Sequence, residues 1–230
     1  MNKSRLKSKI VKNLFYIFDT NGYYVYALYC LIAILITYLT KNFVLTSSVY
    51  EDYFGQQLPF EKVSQIISYM DKWEWLSYVF IPVFYLIKFF AISICILTGL
   101  MISDIKISFN KIFKIVLVSE IIFLLASIIK TFYFLFINIS FTFEEFQYYY
   151  PLSIINYFNT TTTKLEVWLK YPLQLVNLFE LFYILLISLG LSITLRIKSK
   201  EAFKIVSLSY LSGLIIWLVF ITFLTVNFKA

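Results

Sequence analysis

Histidine is absent from all 230 residues. That removes the commonest metal ligand and the commonest general base together. Cysteine occurs only as Cys30 and Cys95, each inside an apolar run. Two such thiols make no disulfide framework and carry no information about redox compartment, so they read as small packing residues. The chain also lacks a Gly-x-Ser-x-Gly elbow, a His-Glu-x-x-His helix and a phosphate-binding Gly-Lys-Ser/Thr. No pair of aspartates lies within an apolar run, as an intramembrane aspartyl protease would need. Glu144-Glu145 has no histidine or suitably placed arginine to make a glutamate protease. Hydrolysis would rest on Glu, Tyr or Lys alone. The expectation is a chain that is not an enzyme and has no cofactor and no metal. Without a nucleotide site, energy for active transport would have to come from a partner or a gradient.

Charge is scarce as well. Only 14% of residues are charged, whereas 60% are hydrophobic. A soluble domain of this length cannot hide that much apolar surface, so lipid is the expected solvent. Crossing a hydrocarbon core of about 30 Å takes about 20 helical residues. Five runs are long enough, near 22–45, 77–102, 111–137, 172–195 and 204–227. The fold class expected is an all-α integral membrane protein with five transmembrane helices in one domain, 1–230. A basic segment, 1–21, precedes the first span, and two longer connections cover 46–76 and 138–171. The first apolar run is too long for a signal-peptide core and ends in Thr40-Lys41-Asn42 without a small-residue cleavage pattern, so it reads as a signal anchor.

The net charge of +7 is distributed by side. Lys3, Arg5, Lys7, Lys9 and Lys12 precede span one. Lys106, Lys111 and Lys114 join spans two and three. Arg196, Lys198, Lys200 and Lys204 join spans four and five. The other two connections are acidic, with Glu51, Asp52, Glu61, Asp71 and Glu74 in one and Glu144, Glu145 and Glu166 in the other. Basic segments stay cytoplasmic, which places the N-terminus inside and the C-terminus outside. Short juxtamembrane lysine clusters are not a nucleic-acid groove, so no nucleic acid is expected as partner. Residues 3–18 can also be arranged as a basic amphipathic helix on an anionic leaflet, although topology alone accounts for these lysines.

In the first outer connection, Val63, Ile66, Ile67 and Met70 recur at helical spacing after Pro59 and predict an interfacial amphipathic helix, with Trp73 and Trp75 at headgroup level. In the second, Tyr148-Tyr149-Tyr150-Pro151 reads as an interfacial aromatic belt. Thr163 with Glu166 fits a capping box, and Pro172 marks the expected junction with span four. Asn138-Ile139-Ser140 and Asn159-Thr160-Thr161 match a glycosylation acceptor, which matters only in a eukaryotic secretory membrane.

Two stretches resemble each other. One runs from Trp75-Leu76-Ser77-Tyr78 through Lys88 and Gly99-Leu100 to Phe113-Lys114-Ile115-Val116. The other runs from Trp168-Leu169-Lys170-Tyr171 through Glu180 and Gly190-Leu191 to Phe203-Lys204-Ile205-Val206. The order of features suggests a duplicated helical hairpin, spans two and three repeated as spans four and five. Lys88 and Glu180 are then equivalent. With Glu120 and Lys130 they form the candidate intramembrane charge cluster. Each alone costs about 2.5–3.5 kcal/mol at a helix centre, so pairing is expected. Two pairings fit the depths. The repeat favours Lys88 with Glu180, with Glu120 nearby and Lys130 snorkelling outward. The rival joins Lys88 to Glu120 and Lys130 to Glu180. No Gly-x-x-x-Gly occurs, but Cys95 with Gly99, Ser188 with Ser192, and Ser209 with Gly213 set small residues one turn apart and permit close helix approach.

The segment Asn177–Val206 leads from a polar entry through Leu189-Gly190-Leu191-Ser192 to a basic turn with Lys200, Ala202 and Phe203. With five spans and a cytoplasmic N-terminus, this order resembles the YIP1-like multipass membrane proteins over the last two-thirds of the chain. The N-terminal region is shorter than in the eukaryotic trafficking members, and the first span lacks a proline near its start. The resemblance implies a bacterial relative and a non-enzymatic role in organising membrane partners. The functional expectation is a non-catalytic subunit or scaffold of an inner-membrane assembly, linked to export or envelope traffic, with the lipid bilayer and partner subunits as its contacts. The alternative is a small transporter or channel component using the intramembrane charges.

Overall fold

A computed structural model describes residue 18 and residues 20–158 and 165–227. The basic positions before residue 18, the Asn159 acceptor and the Thr163 cap lie outside the described residues. Among those described, every regular element is helical, with no strand. Five helices are long and apolar enough to cross a membrane: Gly22–Phe43, Glu74–Ile102, Phe109–Ile137, Leu178–Leu195 and Ser199–Asn227, here spans one to five. In spans three and four, 44% and 39% of the most apolar stretch is buried, against 17% in each of the others. Spans three and four are therefore the enclosed ones, and spans one, two and five keep most of their apolar side chains on the surface.

The chain divides into two compact units, one of residues 1–28, 86–122 and 178–230, the other of residues 29–85 and 123–177. The first unit is built on spans four and five and the Phe109–Ser119 part of span three. Its core holds Phe89, Ile96, Leu100, Ile112, Val116, Ile187, Leu191 and Val206, all fully buried. Small residues set the helix approach. A methyl group added at Gly99 would lie 2.6 Å from Cβ of Ser209, and one at Gly213 would lie 2.7 Å from Sγ of Cys95. The two small-residue pairs, Cys95/Gly99 and Ser209/Gly213, thus face each other with antiparallel register. Gly190 approaches span three in the same manner, 2.6 Å from Cγ2 of Ile115 by the same construction. Asp104 and Arg196 take positive φ, 57° and 56°, in the two basic turns.

The second unit carries both of the longer connections. Pro59 stands just before the amphipathic helix Phe60–Lys72, whose Val63 is buried, and Trp73 stacks on Trp75 with ring centres 6.5 Å apart. Lys41 at the end of span one pairs with Glu74 at 2.7 Å and Asp71 at 3.7 Å, and the Tyr78 hydroxyl donates to Glu74 at 2.6 Å. Burial first, and the Asp71 carboxylate second, push the Tyr50 phenol up and keep it neutral. The tyrosine belt is packed: Tyr149 stacks on Tyr133 at 4.5 Å, and Phe134 meets Phe141, Phe146 and Tyr149. A capping box forms at Thr142, whose hydroxyl accepts from the Glu145 N–H while Glu145 accepts from the Thr142 N–H.

Pro172 is not the junction with span four. It lies inside a separate helix, Val167–Leu175, and the helical path breaks at Val176, where φ is −81° and ψ 86°. The break is stable because its open carbonyls are satisfied. The Ser153 hydroxyl donates to the Leu173 carbonyl at 2.8 Å, with those of Gln174 and Val176 at 3.2 and 3.4 Å. The Ile154 N–H reaches the Val176 carbonyl, and the Asn177 amide donates to the Gln174 carbonyl.

Candidate functional site: a polar cluster in the first unit

Lys88 and Glu120 lie deep in their helices. Lys88 is 14 residues from the start of span two, about 21 Å at 1.5 Å per residue, and Glu120 is about 16 Å from the start of span three. They form an ion pair. The two partners differ in exposure: the Glu120 side chain is 0% exposed, whereas that of Lys88 is 42% exposed. Glu120 stands where the helical bonding of span three is interrupted, between Phe109–Ser119 and Ile121–Phe132. The preceding Ser119 donates its hydroxyl back to the Ile115 carbonyl, an arrangement that bends helices.

Glu180 lies in the first turn of span four. It accepts a hydrogen bond from the Tyr210 hydroxyl of span five at 2.7 Å. Tyr183, one turn further along span four, is fully buried, and its ring meets Tyr210 edge-on at 5.3 Å. The Tyr183 hydroxyl lies in the field of Glu120, Tyr210 and Glu180, and Glu180 in turn feels Lys88 and Glu120. Lys88, Glu120, Tyr183, Glu180 and Tyr210 therefore form one electrostatically coupled group in the first unit.

Lys130, the fourth expected member, belongs to the second unit. Its ammonium sits 4.3 Å from the centre of the Phe146 ring, a cation–π contact. Lys170 makes the same kind of contact with Tyr148 at 3.9 Å and is buried there. Of the two pairings that depth allows, the structure forms Lys88 with Glu120. Glu180, which the repeat sets opposite Lys88, takes the hydroxyl of Tyr210 and stays within the electrostatic reach of Lys88.

Tyr183 and Tyr210 are functional candidates that the sequence does not announce. In an apolar span rich in aromatics, a tyrosine looks like packing. One signal was available: Tyr210 follows Phe203-Lys204-Ile205-Val206 at the spacing with which Glu120 follows Phe113-Lys114-Ile115-Val116.

Among the described residues no cluster of His, Cys, Asp or Glu could hold a metal ion. The arrangement can hold a charge pair and pass a hydrogen bond from span to span. The chain belongs to the class of all-helical proteins with five spans able to cross a bilayer. No protein-family model, curated protein or solved structure matches it.

Proposed function

We propose that the chain is a non-catalytic multipass subunit that holds other membrane proteins together in a bacterial inner membrane, in an assembly serving export or envelope traffic. The observation that carries this is Lys88. Its side chain is 42% exposed midway along an apolar span, with Phe84 and Ile87 exposed beside it. A lysine side chain left partly open in an apolar span, even with its ammonium paired to Glu120, is costly, and a polar group on a neighbouring protein's span lowers that cost. The broad apolar faces of spans one, two and five leave room for such a neighbour. The likeness to YIP1-like proteins points the same way. In this proposal the N-terminus is cytoplasmic, because the basic turns at 103–108 and 196–198 then lie inside.

Support for a duplicated core comes from reciprocal contacts. Gly99 of the first hairpin packs on Ser209 and Ile205 of the second, and Gly190 of the second packs on Ile115 of the first. Ile115 and Ile205 are the same position of the shared tetrapeptide. Two hairpins related by an axis would meet in this way.

The test is photo-crosslinking in native membranes from probes at Phe84 and Ile87. A partner role predicts a discrete adduct with another membrane protein, abolished by Lys88→Leu. Capture of lipid alone defeats it.

A second role, as a small transporter component, is favoured by the grouping of Lys88, Glu120, Tyr183, Glu180 and Tyr210 within one unit. Purified chain in liposomes would then pass ions, and Glu180→Gln would abolish the flux while leaving the fold intact. Lost assembly with unchanged flux would sink this role.

A further inference from the structure

The end of span one and the segment that follows it enclose a cleft of about 270 Å³. Span one supplies Lys41, the helix Ser47–Gly55 supplies Tyr50, the helix Phe60–Lys72 supplies Asp71, and span two begins there with Glu74. All four belong to residues 29–85 of the second unit. Charges of both signs thus line one small space. The two carboxylates are used differently. Glu74 takes the Lys41 ammonium at 2.7 Å on Oε2 and the Tyr78 hydroxyl at 2.6 Å on Oε1, which ties spans one and two together. Asp71 stands 3.7 Å from the same ammonium, beyond hydrogen-bond reach, and its side chain is 60% exposed. The Tyr50 phenol lies in the field of Asp71 and stays neutral, so its hydroxyl can donate or accept. Its ring is steadied by Phe143, with ring centres 5.4 Å apart. Leu45 and Ile67 give the cleft an apolar wall. Trp73 and Trp75, on either side of Glu74 in the chain, are both exposed and mark headgroup level.

We propose that this cleft binds the headgroup of an aminophospholipid, with the ammonium on Asp71 and the phosphate toward Lys41. An ion of one sign meets repulsion here. A cation at Asp71 has the Lys41 ammonium close by, and an anion at Lys41 has two carboxylates beside it. A group that carries an ammonium and a phosphate side by side meets an opposite charge at each end. The ammonium donates to the exposed Asp71 carboxylate, next to the Tyr50 hydroxyl. The phosphate takes the N–H donors of Lys41 that Glu74 leaves, since an ammonium has three. Size favours a headgroup over a whole ligand: pockets that enclose a drug-sized molecule run from about 300 to 1,000 Å³. The acyl chains then leave past Leu45 and Ile67 into the bilayer. The site depends on neither role proposed above. In the topology argued from the lysines it serves the outer leaflet.

The experiment is native mass spectrometry of the full chain, released from micelles that hold equal amounts of phosphatidylethanolamine, phosphatidylcholine and phosphatidylglycerol with identical acyl chains. Wild type is expected to retain phosphatidylethanolamine about tenfold over either rival, the factor one charge-assisted hydrogen bond supplies. Choline keeps the charge but has no N–H to give Asp71, and glycerol has no cation. Asp71→Asn should bring retention down to the phosphatidylcholine level with an unchanged unfolding temperature, because the side chain is exposed. Glu61→Gln, on the same helix but outside the cleft, should leave the preference intact. Equal retention of the lipids by wild type overturns the proposal, as does a preference for phosphatidylglycerol, and neither result needs a variant to fold. A preference that survives Asp71→Asn overturns it too, because the ammonium is then held elsewhere. Free phosphoethanolamine that binds at the same concentrations as the lipid assigns these groups to a soluble ligand and overturns the lipid.

Discussion

Glu120 and Tyr210 each stand four residues beyond the valine of a Phe-Lys-Ile-Val, and each pairs with a residue of the span before its own. Glu120 takes Lys88, and Tyr210 takes Glu180. The acid lies on the later span of the first pair and on the earlier span of the second. In the first the acid follows the tetrapeptide, and in the second it precedes the turn. The serine before each, Ser119 or Ser209, donates to the carbonyl of the tetrapeptide isoleucine.

The ion pair should be far more sensitive to loss of one member than of both. Lys88→Met leaves Glu120 enclosed without its ammonium, and breaking a buried pair typically costs about 3–5 kcal/mol. Replacing both, as Lys88→Met with Glu120→Leu, should recover most of that. Thermal unfolding in detergent micelles checks the comparison. Equal losses for the single and the double variant contradict the pairing.

Tyr210→Phe removes one hydroxyl and nothing else. A hydrogen bond to a charged group is worth about 1.5–3 kcal/mol, so a drop of that size is expected. In a chain already carrying Glu180→Gln, the same change should cost distinctly less. A double-mutant cycle on thermal stability measures the difference, and full additivity means the contact is not made.

The close approach at Gly99 predicts a clash with a specific cure. Gly99→Ala brings a methyl group to 2.6 Å from Cβ in Ser209, and overpacking of this kind costs about 1–3 kcal/mol. Ser209→Gly in the same chain should restore stability, because it removes both atoms that the methyl meets. Ser192→Gly, on the other spans, should not. Failure of Ser209→Gly to rescue would mean that the two helices meet elsewhere.

Orientation can be read by labelling. With Cys30 and Cys95 replaced by alanine, a cysteine at Gln57 or Glu144 should react with a membrane-impermeant maleimide from outside intact cells. A cysteine at Lys106 or Lys198 should react only after the membrane is opened. The reverse pattern inverts the topology argued from the lysines.

Several features of this fold follow from composition alone. Apolar runs place five spans, the fourth expected from Pro172 and found from Leu178, and Val63, Ile66 and Ile67 after Pro59 mark the amphipathic helix Phe60–Lys72. The capping-box pattern is legible in Thr142-x-x-Glu145, where the box stands, while the Thr163 signature falls outside the described residues. What sequence does not carry is direction around a helix axis. Depth puts Lys88 near both Glu120 and Glu180, and only the packing of spans two to five decides that Glu120 takes the ion pair. The break at Val176 is hidden for a similar reason. Pro172 is the obvious breaker nearby, yet it lies inside Val167–Leu175, where the helix passes through it and runs on to Leu175. The true break depends on Ser153, some twenty residues away.

The hold of Ser153 on the open end of Val167–Leu175 also bears on how the polypeptide can be divided. Gln174 adds a second tie, donating to the carbonyls of Gln147 and Tyr148, and Lys170 a third through the Tyr148 ring. The two sides of the 159–164 stretch are thus joined by side chain, backbone and ring contacts that do not need the peptide between them. Separately translated pieces ending at Phe158 and beginning at Leu165 carry matching halves of one clasp, and the fold has in that clasp a natural seam for complementation.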